Sequence, residues 1–391
     1  MATTYYFSRD TKLYAHVPLS AAATKSTYFE LPVLDGFSFT QATNATEITL
    51  NQAQSTGGVS LRARQMFNDS YAPAEWSFST YMAPYTSAGG TKATNGRGSA
   101  TDGAHCEVSE AMWAMFFDQT CNGALTSDTT DLSISPGNSN KATIGVFDLY
   151  FVMGAASVAY SSGKPASGYS DGSQKIYKIA DCSVNEFSFD FDIDGIATVN
   201  WSGMGKIITE EASLDLSSST ALITEGVTNT TGFIRNRVSD LTLSGDVSGS
   251  SVTYVTSLTG GNITGSNNLT YLTPETIGVV NQPLGHVTGT RSIGGNVTCY
   301  LDNDSNGSAE LFEDAIEATT DITNSFSFAF DIGAGAAPYL NLTMPTCHIE
   351  VPQVMIDDVI SLETNFHALP SAISNTNEIS VFNFFGKDVN A

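Results

Sequence analysis

Asp302, Asp304, Asn306 and Glu313, with Gly307 at the bend, fall in the register of a calcium-binding loop within Asp302-NDSNGSAELFE. Such a loop needs hard oxygen ligands at alternating positions and a carboxylate at the twelfth. The segment entering it reads as a strand, however, where a calcium hand has a helix. Asp, Asn, Ser and Gly also make turns, and Ser308 or Asn306 can cap the helix that follows. Capping is the preferred reading, and no metal is expected. Asp190, Asp192 and Asp194 before Gly195 make a weaker match, because the twelfth position is Trp201. The histidines are His16, His105, His286, His348 and His367, and none has HExxH spacing. His348 with Cys347 and Glu350 is a short polar cluster, and zinc there needs ligands from elsewhere. No GxSxG or P-loop occurs, and Gly260-Gly261 and Gly294-Gly295 read as turn or bulge glycines. A carbohydrate-cleaving site needs two carboxylates across a cleft with aromatic platforms. Nothing marks such a pair, and the tryptophans are only Trp76, Trp113 and Trp201. No catalytic residue and no cofactor is expected.

The elements that carry these residues are mostly strands. In Phe187-SFDFDIDG the residues Phe187, Phe189, Phe191 and Ile193 alternate with Ser188, Asp190, Asp192 and Asp194, one face packing and the other presenting acids. Asp194-Gly195 favours a tight hairpin turn. Two segments have helical spacing: Val108, Ala111, Met112, Met115 and Phe116, and Leu311, Phe312, Ala315 and Ile316. Residues 1–28 read as an irregular arm. Residues 52–74 and 257–285 read as long excursions between strands, and 122–173 as an insertion with one or two strands in 142–160.

The chain has 391 residues, enough for two domains with proper cores. Charged residues make up 14% against 41% hydrophobic, and Thr, Ser, Asn and Gly fill the difference. The net charge of −24 disfavours nucleic-acid binding and anionic membranes, since phosphate contacts need Lys and Arg. The Met1-ATTYYFSRD opening lacks a basic and an apolar region, so no secretory signal is expected. No apolar run is long enough to span a bilayer. The five cysteines are scattered without CxxC and read as reduced thiols.

The two halves share a pattern. At an offset of 204 positions Phe37 falls on Leu241, Phe39 on Leu243, Ile48 on Val252 and Leu50 on Tyr254. Glu186-FSFDFDI and Asn324-SFSFAFDI match near the end of each half. The expectation is a mainly β chain of two tandem sandwich or barrel domains, 29–210 and 211–391, each with one flanking helix.

Leu34-DGFSFTQATNATEITLNQA, Val59-SLRARQMFNDSYAPAEWSFSTYM and Gly289-TRSIGGNVTCYLDND…AELFEDAIEA, in that order, resemble the tail tube (major tail) proteins of long-tailed bacteriophages. The resemblance implies rings of six such domains, stacked into a tube that conducts DNA into the host. With two domains per chain, three chains fill six positions in a pseudo-sixfold trimer. It also implies a virion tail location after assembly in the host cytoplasm. The partners it implies are other copies of the chain, tail sheath, baseplate and tail terminator proteins, and DNA that passes without specific binding. Asp190, Asp192 and Asp194 are candidates for the lumen lining. Arg62 and Arg64, the densest basic spot, are candidates for contact with a neighbouring subunit. The alternative is an acidic two-domain adhesin or receptor-binding protein of a virion.

Overall fold

The computed structural model describes residues 5–19, 24–48, 65–83, 107–121, 125–127, 131–134, 143–161, 164–165, 167–192, 194–216, 233–247, 250–273, 277, 280–317, 326–333 and 339–385. In the first half the principal elements are β1 Lys12–Val17, β2 Thr27–Leu31, β3 Ser38–Ile48, β4 Gln65–Tyr81, α1 Glu110–Phe117, β5 Phe147–Met153, β6 Lys175–Asp192 and β7 Thr198–Gly205. In the second they are β8 Asp240–Val247, β9 Ser250–Tyr254, β10 Leu258–Ser266, β11 Ser292–Tyr300, α2 Ser308–Glu317, β12 Phe326–Ile332, β13 Tyr339–Ile349, β14 Gln353–Met355, β15 Ser361–Ala368 and β16 Val381–Phe385.

Two antiparallel sheets share β6. A smaller one runs β2, β1, β5, β6 and Ile208–Glu210. A larger one runs β3, β4, β7, β6, β10, β11 and β15, and ends on the last residues of β13 and on β14. The strand β6 passes from one to the other at an irregularity between Ile179 and Cys182, where Asp181 has φ 50°. A left-handed residue and a register shift together bend a strand out of its sheet. Beyond β13 come β12, β8 and β9, and these fold back over the core.

The core is aromatic and crosses the midpoint of the chain. Trp113 on α1 lies 4.6 Å from Trp201, 4.8 Å from Phe187 and 4.7 Å from Phe382, centroid to centroid. Phe382 belongs to the last strand, so the C-terminal end of the chain covers the first helix. Phe328 stacks on Phe366 at 4.5 Å, and Phe330 meets Phe191 of the first half at 5.6 Å. Each such ring stabilises by about 1.5–3 kcal/mol on burial. Helix α1 is buried along its whole length, whereas α2 buries Leu311 and exposes Ile316.

Both helices and the aromatic hairpin stand where periodicity puts them. Gly195 takes φ 138° in the turn between β6 and β7, which a side chain disfavours. Several expectations differ from the structure. The excursions read at 52–74 and 257–285 hold strand: residues 65–74 belong to β4, and Leu258–Ser266 is β10, paired on both sides within the larger sheet. The N-terminal stretch is not irregular throughout, because β1 alternates Leu13, Ala15 and Val17 into the core. Phe147–Met153, read as part of an insertion, is the central strand of the smaller sheet. The 204-position offset also lays one continuous strand, β3, on a hairpin, β8 with β9. By position, the counterpart of the β3–β4 hairpin is β10–β11: each precedes a helix and then an aromatic hairpin.

Glu107 sits buried before α1, where its Oε2 accepts from Ser109 N at 3.0 Å and Ser109 Oγ at 2.8 Å. Burial, with the Glu110 charge adding to it, raises its pKa to about 8. Between about pH 4.5 and 8 the unfolded chain has therefore released a proton that the folded chain keeps, and stability falls as pH rises. Chemical denaturation across this window should lose a few kcal/mol. Glu107→Gln should flatten the profile, and an unchanged slope in that variant would refute the assignment.

Candidate functional site

The larger sheet has two unlike faces because its strands alternate. Trp76, Phe78, Trp201, Phe187, Phe189, Ile263, Ile293 and Phe366 point to the core. The opposite face is polar, and cross-strand register aligns it into rows. One row runs Ser79, Asn200, Ser188, Thr264, Gly294, His367 and His348. Another runs Ser38, Ser77, Ser202, Glu186, Ser266 and Ser292.

Neighbours in these rows hold one another. The hydroxyls of Ser38 and Ser77 are 2.8 Å apart, Ser79 Oγ donates to Asn200 Oδ1 at 2.6 Å, and Asn200 Nδ2 donates to Ser188 Oγ at 3.3 Å. Asn262 Nδ2 reaches Asp190 Oδ1 at 3.2 Å, which joins the two halves. Asn296 Nδ2 reaches Glu363 Oε1 at 3.1 Å and Asn365 Nδ2 reaches Glu350 Oε2 at 2.9 Å. The Asn365 and His367 side chains hold the Glu350 carboxyl below its ordinary value. A shallow hollow of about 630 Å³ lies over the centre of this face, between Ser79, Ser188, Thr264 and His367. No Lys or Arg occurs in β3, β4, β7, β10, β11, β13, β14 or β15, nor in β6 after Lys178.

Close approach of the aromatic core requires glycine on β10. A Cβ on Gly265 would stand 2.2 Å from Phe187 Cε1, and one on Gly261 2.8 Å from Phe191 Cζ. The phenylalanine of one half thus lies over bare backbone of the other.

The candidate residues separate. Asp190 and Asp192 are exposed on β6, and Asp190 stands in the polar face. Asp194 lies beyond the strand, in the turn, 3.5 Å from Arg237 Nη1. Arg62 and Arg64 fall outside the described residues. The Asp302 loop is a helix cap: Asp302 Oδ1 accepts from Ser308 N at 3.2 Å, and Ser308 Oγ accepts from Asp302 N at 2.8 Å. Asn306, at φ 57°, donates its N–H to Glu310 at 2.7 Å. Asp304 and Glu313 are exposed, and among the described residues no group of three His, Cys, Asp or Glu side chains is arranged to hold a metal. His348 faces His367 across the strands, while Cys347 is buried on the other side.

Sequence reasoning missed the second half of the polar face, including Asn262, Thr264, Asn296, Glu363 and Asn365. It also missed an ion cluster at the bend of β6. Lys25 Nζ lies 2.6 Å from Asp148 and 2.5 Å from Asp181, and Lys206 lies 2.6 Å from Asp181. Burial opposes both charges on the Lys25–Asp181 pair. The hydrogen bonds Lys25 donates to Asp148 and Asp181 outweigh it and raise Lys25, while those Asp181 accepts from Lys206 and Lys25 lower Asp181. Only folding brings these residues together, so no local signal announces them.

A family model described as "Phage tail tube protein" matches residues 34–368. The chain is 28% identical over 381 residues to "Tail tube protein pb6" of Escherichia phage T5, covering 95% of this chain and 74% of the relative.

Proposed function

The chain belongs to the phage tail tube protein family, which makes it a structural component of the virion tail, and on that premise we propose that its polar sheet face is the wall of the tube. Family membership disfavours the adhesin alternative. The carrying observation is the uninterrupted eight-stranded face without Lys or Arg, to which each half contributes four strands. A wall that conducts DNA must not release counterions from it, because that release is what makes a cationic surface hold a duplex. Neutral Ser, Thr and Asn with scattered carboxylates meet this requirement.

Copy number follows from the strands. The edges are β3, exposed along most of its length and carrying only Glu47 as a charge, and β14 with the end of β13. An edge of that length with a single charge is a template for pairing. Eight is even, so β3 of one copy set beside β14 of the next stays antiparallel and the sheet can close. At about 4.8 Å per strand, three copies make a wall of about 115 Å around and roughly 37 Å across its backbones for strands along the axis. Opposed side chains then leave room for a duplex. Two copies give roughly 25 Å, which the side chains would largely fill. The units 29–210 and 211–391 occupy successive positions, so the ring is a trimer with a near-sixfold outline. Asp190 and Asp192 face the bore, and tail sheath, baseplate and terminator proteins are its partners in the virion.

Rotational averaging of rings imaged by electron microscopy tests this. Threefold symmetry with a sixfold outline is expected, and six whole chains per ring would overturn the trimer.

A further inference from the structure

A second-half segment is clipped to the hairpin between β6 and β7. Ala197 N donates to Ile234 O at 3.0 Å, and Asn236 N donates to Gly195 O at 3.2 Å. Asn236–Val238 then makes one short turn, closed by Ser239 N on Asn236 O at 2.9 Å, before β8 begins. This turn, the end of β6 and the start of β10 border a cavity of about 260 Å³, whose polar lining is Asp192, Asn236, Arg237, Ser239 and Thr259.

Asn236 is 8% exposed, and its Oδ1 has no hydrogen-bond partner. The Nδ2 end lies toward Gly195, where an added Cβ would stand 3.7 Å from it, which leaves Oδ1 for the cavity. A buried acceptor without a donor is costly, so a ligand that satisfies it gains what the chain alone forgoes. Asp192 is exposed and stands opposite Gly260. Gly260 has no side chain to cover the carboxylate, and a Cβ there would lie 4.0 Å from Asp192 Oδ1.

Both of these oxygens accept, so an anion is disfavoured and a cation is suited. Thr259 Oγ1 donates to Thr298 O at 3.0 Å, which leaves its oxygen to accept as well. Arg237 is the cation on the lining. Its guanidinium lies 3.5 Å from Asp194, with the two side chains 75% and 86% exposed. A pair so solvated is weakly held, and Arg237 can give way to a bound ion.

We propose that Asp192 and Asn236 Oδ1 bind a divalent cation, calcium or magnesium, in this cavity. A carboxylate and an amide carbonyl are hard oxygen ligands, and water completes the shell of such ions. At about 30 Å³ for each water, the cavity has room for an ion with several of them. The Asp190–Asp194 run lacks the acid of a calcium loop at its twelfth position, and here a further ligand comes from the other half of the chain. The ion ties the first-half hairpin to the second half. The site lies within one chain, so binding does not depend on the ring.

Calorimetric titration of the purified chain with calcium and with magnesium, alongside thermal melts, tests this. Wild type should take up one ion per chain with a Kd of about 10⁻⁴–10⁻³ M for at least one of the two metals, the range of weak oxygen sites. Its melting temperature should rise as that metal is added. Asp192→Asn should weaken binding about tenfold or more, and Asn236→Asp, which adds a second carboxylate, should tighten it by a similar factor. Asp304→Asn, away from the cavity, should bind as wild type does. If Asn236→Asp melts early without metal, Asn236→Ala takes its place and should weaken binding as Asp192→Asn does. No saturable binding by wild type, an unchanged affinity in either cavity variant, or equal weakening by Asp304→Asn would overturn the proposal.

Discussion

Arg291→Ala should lower the free energy of unfolding by about 3–5 kcal/mol, the usual cost of breaking a buried ion pair. Arg291 leads into β11, and its Nη2 lies 3.0 Å from Glu378 Oε2 and donates to Thr376 O at 3.3 Å. Both side chains are almost sealed, at 3% and 2% exposure. The guanidinium also lies 5.3 Å from the centre of the Phe117 ring on α1. One side chain therefore fastens the C-terminal segment and the second-half sheet to the helix of the first half. Removing it leaves the Glu378 charge in a dry site and strips a cation from an aromatic face. Arg291→Met with Glu378→Leu should recover most of the loss, because apolar groups of similar size need no compensation there. Urea denaturation of the three proteins measures both effects. A single variant costing under about 1 kcal/mol would mean that the pair is solvated in solution.

That pair also shows where sequence reasoning stops. Arg291 and Glu378 stand far apart in the chain, and neither has a periodic or spacing signal. The alternation of Phe187, Phe189 and Phe191 with Ser188 and Asp190 was legible, since a strand with one buried face writes its period into the residue types. The helices were legible for the same reason, and the Asp302 loop could be read as a cap from its Ser and Asn. The second half of the polar face was obscure because Gly260-Gly261 and Gly294-Gly295 interrupt the apolar period. Of those glycines Gly261 lies under the Phe191 ring and Gly295 against the Asn262 backbone, while Gly260 and Gly294 stand on the polar side, and a missing side chain carries no periodic signal. The order of elements in each half was legible, but the ungapped alignment was not. The β8–β9 hairpin has no counterpart at the offset position, so chance apolar matches filled the register. Asp194 looked continuous with Asp190 and Asp192, but the hairpin had already begun to turn at that residue.

The wall itself makes the largest prediction. Asn200→Lys with Thr264→Lys should convert a tube indifferent to DNA into one that holds it. Both positions are exposed, lie in one row of the polar face on either side of Ser188 and come from different halves. In a trimeric ring they set six lysines around the bore. Charges inside the bore act on a duplex directly, whereas those outside lie beyond the screening length of about 8 Å at physiological salt. Neutralising six phosphates per ring ties binding steeply to salt, so affinity should fall about 10³-fold between 50 and 200 mM salt. Wild-type tubes should show no such binding under the same conditions. The measurement is retention of short duplex DNA by pelleted tubes across a salt series, with Lys substituted for an exposed residue of α2, such as Glu313, as the control. The net charge of −24 alone would predict that two lysines per chain change little. Strong, salt-sensitive retention by the wall variant but not by the control therefore separates the local face from the whole-chain charge. Equal behaviour of the two variants would mean that the polar sheet does not line the channel.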